Sequence, residues 1–441
     1  MKKILLGAIA ILAFTSPTNA QTINVAFPHF TGKQYVYVLE KGSKKDTIAT
    51  GKLDTEGKAT LVIPSAKKGY AGISHFVLTE GGGMDFIVNK ENFTISCLEE
   101  QPNFENTKYT VSAENDFFNG RMKKLNQILE KVRMVQYGLT VYKKEDALYP
   151  ALNQEQQNLN QQLTALKSET AQNKLYAARL AEIYDILMGS GSKINLSEGE
   201  KAKEINAFVK DKLDMSVLYT SGQWNNFIEG WMQLHQAVIK DDALWLEGTK
   251  YVLSHIKSNE IYTAFTEKAI LVLTKAGKDD LVTSLSEYAS KSGRLEKSGK
   301  IVMAAINGPA IGNVAPVLQT ATGKKTINKK TLLFFYESGC NNCENEIHQL
   351  LGNYEIVKDK GYEIISVAAD MTSNVGDGHN HQFPWKEQLC DFKGFAGPNF
   401  KNYAIIGTPT FFVIDEKGKI TGKYASLIDT GILSNPYTVK K

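Results

Sequence analysis

Polar and apolar residues alternate in short runs over the first hundred positions. The runs at 34–39, 47–53, 59–63, 74–78, 85–88 and 93–97 are separated by turn clusters such as Asp54-Thr55-Glu56-Gly57-Lys58 and Gly81-Gly82-Gly83. Short strands at even spacing predict a small β-sandwich or barrel over 21–101. Tyr35, Tyr37 and Phe86 read as core or sheet-face residues, and nothing in this stretch reads as catalytic. From about 112 to 300 the period changes. Leu159, Leu163, Leu166, then Leu175, Leu180, Ile183 and Leu187, stand at helical spacing. Residues 153–162, rich in Gln and Asn around Leu159, read as a solvated helix face. Gly189-Ser190-Gly191-Ser192 breaks the run, the aromatic stripe Trp224, Phe227, Trp231, Trp245 and Tyr251 reads as helix packing, and 261–275 with 279–289 predict a helix pair around Gly277. A central α-helical region over 102–306 follows.

Beyond Gly308 and Gly312 the pattern becomes strand, helix, strand, helix, strand, strand. Residues 331–336 are a short apolar run, as a parallel strand covered on both faces requires, and 363–369 read as a second buried strand. Residues 344–357 predict a helix, 385–392 a short helix, and 410–414 with 420–425 a hairpin around Glu416-Lys417-Gly418. The third domain, 307–441, is therefore α/β.

Length agrees with this division: 441 residues at roughly 150 per domain give about three. With 42% hydrophobic and 22% charged residues, composition excludes a disordered or collagen-like chain. A net charge of +4 without a dense basic block gives no footprint for nucleic acid. The first twenty residues read as an address. Lys2 and Lys3 precede an uncharged apolar run at 4–14, too short to span a bilayer, and Thr18-Asn19-Ala20 offers small residues for cleavage before Gln21. This predicts a signal peptide at 1–20, cleaved after Ala20, and a periplasmic protein that is not embedded in the membrane. The four cysteines are too few to staple a chain of this length but enough for one redox pair.

That pair is Cys340-Asn341-Asn342-Cys343, which directly follows the 331–336 strand and opens the next helix. A C-x-x-C in this setting reads as a thioredoxin-like redox site. Two intervening residues in a first helical turn bring the sulfurs together, and the unpaired N–H groups and helix dipole favour a thiolate on the first. Cys340 is expected to be the exposed nucleophile of lower pKa and Cys343 the resolving thiol. A zinc site would want further ligands, haem attachment would want His where Glu344 stands, and a structural disulfide is the remaining alternative. Downstream, Thr408-Pro409 immediately before the 410–414 strand is placed for a cis bond.

With these residues, 310–436 resembles the thioredoxin-like domain of secreted bacterial TlpA/ResA-type thiol–disulfide oxidoreductases. The matching pieces are Gly312-Asn313-Val314-Ala315-Pro316, the C-x-x-C with Glu346 three residues later, Asp370 ending the second strand, Trp385, and Tyr403 ahead of Gly407-Thr408-Pro409-Thr410. The resemblance implies that Pro409 is cis and packs against the active-site disulfide, and that Thr408 offers backbone hydrogen bonds to a bound cysteine peptide. In layout, the β-rich front resembles the small domain of unknown function that precedes such domains, and the helical middle resembles the segment between them.

The chain departs from the family pattern in three places. Gly339 replaces the Trp usual before the first cysteine, and Phe334 stands where thioredoxin keeps a buried acid. Glu337 could serve instead as proton acceptor for Cys343, or be a solvated loop acid. The Asn-Asn pair supplies no charge to stabilise a thiolate. His379 and His381, in the loop after Asp370, either tune or shuttle protons at the site, bind a metal together, or are solvent-exposed histidines. Cys97 and Cys390 read as buried thiols.

The expectation is an exported oxidoreductase that acts on protein disulfides through this dithiol, as a reductase. No cofactor and no metal are invoked. Expected partners are protein disulfide substrates and an upstream electron donor such as a membrane thiol reductase, with a homodimer open. The alternatives are an isomerase or oxidase dimerised by the helical region, and a non-catalytic binding or structural protein. A peroxidase lacks its Thr-x-x-Cys signature here.

Overall fold

The computed structural model describes residues 21–103, 105–189, 196–296, 300–373 and 381–433. The expected signal peptide and His379 lie outside these residues. Two compact units form. One takes in the described residues up to Glu204 together with Leu213–Trp224; the other takes in Ile205–Lys212 and the described residues from Asn225 onward.

In the first unit the alternating runs become β1 (Gln21–Ala26), β2 (Gln34–Lys41), β3 (Lys44–Lys52), β4 (Lys58–Ile63), β5 (Ala71–Leu78), β6 (Gly83–Asn89), β7 (Phe93–Ser96) and β8 (Lys108–Thr110). They make two four-stranded sheets, ordered β4-β1-β7-β8 and β3-β2-β5-β6. All neighbours are antiparallel except β1 and β7, which run parallel with Ile23 opposite Phe93. Alternate side chains turn inward, so Ile23, Val25, Tyr37, Leu61, Phe76, Phe86 and Ile95 form one core drawn from both sheets. Tyr35, Tyr37 and Phe86 are all buried in it, as the alternation predicts. The strand β8 lies beyond the stretch whose alternation is visible, being only three residues long.

Helices α1 (Ala113–Val141), α2 (Tyr149–Gln172) and α3 (Tyr176–Leu187) continue this unit. Ser112 caps α1 by accepting from the Asn115 N–H, with Glu114 and Asp116 in the first turn. The leucine spacing buries Leu159, Leu163 and Leu166 against Leu125, Ile128 and Val132. Helices α4 (Glu198–Asp211), α5 (Met215–Thr220), α6 (Trp224–Leu234), α7 (Asp242–His255), α8 (Asn259–Lys275), α9 (Asp279–Lys291) and α10 (Lys300–Asn307) follow. Gly277, with φ of +67°, turns the chain between α8 and α9, where only a residue without Cβ is unstrained.

The C-terminal part contains the short hairpin β9 (Leu318–Thr320) and β10 (Gly323–Lys325). Then come β11 (Thr331–Tyr336), α11 (Asn341–Gly352), α12 (Tyr354–Asp359), β12 (Glu363–Ala368), β13 (Glu387–Cys390), α13 (Pro398–Asn402), β14 (Thr410–Ile414) and β15 (Ile420–Tyr424). Five strands form a mixed sheet ordered β13-β12-β11-β14-β15. β11, β12 and β13 run parallel, while β14 is antiparallel to β11 and β15 to β14. Every residue of β11 is buried. Leu333 and Phe335 enter the core on one face, and Leu332, Phe334 and Tyr336 that on the other, which is why the run is apolar without alternation.

Two expectations are corrected here. Residues 385–392 contain no helix: Glu387–Cys390 form β13, which adds to the sheet edge beside β12. The ladder with β12 and the bond from the Trp385 indole N–H to Ser366 Oγ, at 3.0 Å, hold it so. Cys390, last residue of that edge strand, is exposed rather than buried; Cys97 is buried, as expected.

Candidate active site

The buried strand β11 ends at Tyr336 and the chain turns through Glu337-Ser338-Gly339 into α11. Gly339 takes a φ of +76°, a left-handed conformation that the usual Trp would adopt only under strain. Cys340 is the N-cap of α11, and its carbonyl accepts the Glu344 N–H at 2.9 Å. Its sulfur therefore stands at the positive end of the helix, half-buried. Cys343, one turn in, is fully buried among Phe334, Tyr336, Ile347, Trp385 and Phe411.

Burial pushes the Cys343 thiol up to about 12; hydrogen bonds from the Glu337 main chain and the Thr408 side chain pull against this, and the neighbouring Cys340 adds to it. The structure thus brings Cys340, Cys343 and Thr408 together. The Thr408–Pro409 peptide bond is cis, and both residues are half-buried at the entry to β14. Glu337 is placed differently from the expectation of a carboxylate at Cys343. Its side chain is exposed, and it is its main chain that meets the thiol. Phe334, where thioredoxin keeps its buried acid, is stacked between Phe411 at 4.5 Å and Tyr336 at 5.3 Å, so the sheet supplies no carboxylate there.

Other carboxylates hold the loop. Asp370, just past β12, accepts from the Ser338 N–H at 3.0 Å and from its hydroxyl at 2.8 Å. Glu344 accepts the Gly339 N–H at 2.9 Å, and its other oxygen meets His381 Nε2 at 2.5 Å. Glu346 accepts the Leu427 N–H at 2.8 Å, and burial raises its carboxyl above the usual range. In the sequence Asp370 and Glu346 stand out only as positions matching the family, and Glu344 only as the wrong residue for haem attachment. A polar residue ending an apolar strand was the available signal for Asp370; nothing in the spacing pairs Glu344 with His381.

Residues 316–423 match the family model described as AhpC/TSA. A ResA thiol–disulfide oxidoreductase of Bacillus thuringiensis subsp. konkukian is 34% identical over 117 residues, 25% of this chain and 66% of that protein. A ResA of Bacillus cereus is 32% identical over 120 residues, 26% of this chain and 68% of its own length. The chain belongs to the ResA-like thiol–disulfide oxidoreductases. A thioredoxin domain of a thiol–disulfide oxidoreductase from Bacteroides vulgatus is 27% identical, covering 26% of this chain and 87% of that one with a TM-score of 0.21. The ResA-like part is a quarter of the chain, and it spans slightly less than two thirds of the first relatives it matches. The β-sandwich and helices α1–α10 lie outside residues 316–423.

Proposed function

We propose that this protein is an exported reductase of protein disulfides, with Cys340 as nucleophile and Cys343 as resolving thiol. The observation that carries the reading is the pairing of a half-exposed Cys340 at a helix N-terminus with a fully buried Cys343 one turn behind it. Cys340 thiolate attacks one sulfur of a substrate disulfide. A mixed disulfide forms, and the other substrate sulfur leaves as a thiolate and takes up a proton. Cys343 then loses its proton and attacks the Cys340 sulfur. The second substrate thiol is released, the substrate is reduced, and the Cys340–Cys343 disulfide is left oxidised.

The resemblance to TlpA/ResA-type proteins is what favours the reducing direction. The half-buried Thr408-Pro409 shoulder supplies main-chain groups on which a cysteine peptide can lie. The dithiol is restored by an external thiol donor, for which a membrane thiol reductase is the proposed class. The proposed export signal is 1–20, and among the described residues no helix is long and apolar enough to cross a membrane. The Glu337 carboxylate has no part in this mechanism.

Insulin reduction with dithiothreitol as donor tests the reading. Cys340→Ser is expected to lower the rate by at least a hundredfold, and Cys343→Ser to accumulate mixed disulfides that Cys340→Ser does not. Wild-type activity in Cys340→Ser would sink the reading. A strongly oxidising potential for the pair would reverse its direction.

A further inference from the structure

We propose that His381 and Glu344 form a positioning dyad for Cys340, acting through the Gly339 N–H and through the charge they place beside the nucleophile. This rests on Cys340 being the attacking thiol. Glu344 lies next to Cys343 in the chain, yet its carboxylate turns back across the helix start. One oxygen accepts the N–H of Gly339, the residue before Cys340, at 2.9 Å. The other accepts His381 Nε2 at 2.5 Å. A carboxylate accepts only, so Nε2 carries a proton in either charge state of the ring.

The imidazole is itself held. It stacks on Phe383 at 6.1 Å between centroids, Phe383 stacks on Trp385 at 4.4 Å, and the Trp385 indole N–H bonds Ser366 Oγ inside β12. The successive stacking of His381 on Phe383 and of Phe383 on Trp385 sets these three rings side by side. Phe383 also meets the Tyr336 ring edge-on at 5.7 Å. A ladder of rings thus runs from the sheet to the glycine ahead of the nucleophile. Both members of the dyad are mostly buried, with side chains 13% and 15% exposed, where a paired charge is screened less than at an open surface.

The consequence for Cys340 is electrostatic. The Glu344 carboxylate one turn from the sulfur opposes a thiolate, and a protonated His381 cancels that charge. The other titratable groups here are His348, edge-on to His381 at 5.6 Å, Cys343 on the same helix, and Asp370, which reaches the loop through Ser338. Tyr336 holds its proton more tightly through burial first, and then through the charges of Asp370, Cys390 and Glu344.

The test is the pH profile of iodoacetamide alkylation at Cys340, read by mass spectrometry on the reduced full chain. His381→Ala is expected to slow alkylation at pH 7 at least threefold and to move the profile midpoint to higher pH. Glu344→Gln is expected to move it lower, and in the Glu344→Gln background His381→Ala should shift it by much less than in the wild type, as two coupled groups require. Should His381→Ala fail to fold, His381→Gln keeps a donor, removes the charge, and is expected to shift the profile in the same direction. A His381 profile that overlays wild type, or one equally shifted without Glu344, overturns the dyad. Those results leave the Cys340→Ser insulin experiment untouched, so the dyad and the dithiol reading fail separately.

Discussion

Cys340 and Cys343 carry the same thiol chemistry and differ through position. Cys340 caps a helix and is half-exposed; Cys343 faces the aromatic core, where burial drives its thiol up to about 12. Glu337 shows the reverse case of a side chain whose identity suggests a role its position does not support. Because its carboxylate is exposed and its main chain makes the contact to Cys343, Glu337→Gln is expected to leave the insulin-reduction rate within about twofold. A loss above tenfold would return the carboxylate to the mechanism. Asp370 and Glu344 are the acids the loop uses, and each spends an oxygen on a main-chain N–H that the turn into α11 leaves unpaired.

At the scale of elements, β11 and α11 act as one device. The strand is apolar throughout because both faces are covered, and it delivers the chain to the helix start at the end of the sheet where β12 delivers Asp370. This much is legible in the sequence, since a continuous apolar run followed by C-x-x-C has few other readings. The edge strand β13 is not, because four residues carry too little periodicity to separate strand from helix, and its ladder with β12 decides the matter. In the sandwich, His75 of β5 bridges Asp85 of β6 and Glu40 of β2, each at 2.5 Å. Burial pulls the imidazole down, but these carboxylates outweigh it and raise it to about 9. The folded state therefore binds a proton that the unfolded chain, with a value near 6.5, releases first. This contribution is complete below about pH 6.5 and is lost as pH rises to about 9. Denaturant titrations should show roughly 1–2 kcal/mol of stability lost across that window, after solvent screening, and His75→Asn should flatten the slope. A slope unchanged in His75→Asn would assign it elsewhere.

For the molecule as a whole, the four thiols divide by exposure. Cys340 is half-buried and Cys390 exposed, whereas Cys97 and Cys343 are buried. Alkylation of the reduced native chain should label Cys340 and Cys390 within minutes and the other two only under denaturant, by peptide mapping. Rapid labelling of Cys97 would mean that the sandwich core opens readily. This pattern bears on the trapping experiment too: Cys390→Ser removes the second accessible thiol before mixed disulfides are assigned to Cys340.

From the sequence alone came whatever depends on neighbours in the chain. Alternation marks the sandwich strands, leucine spacing marks the helices, and a cysteine pair between an apolar strand and a helix marks the candidate redox site, because period and helix-start chemistry are local. The tertiary structure decided what depends on residues far apart. It turned the Glu337 side chain outward, exposed Cys390 at a sheet edge, set Asp370 on Ser338, and brought His381 to Glu344 across 37 positions. Such contacts follow from which elements pack together, and side chains are oriented by the core beneath them, so no pattern along the chain announces them.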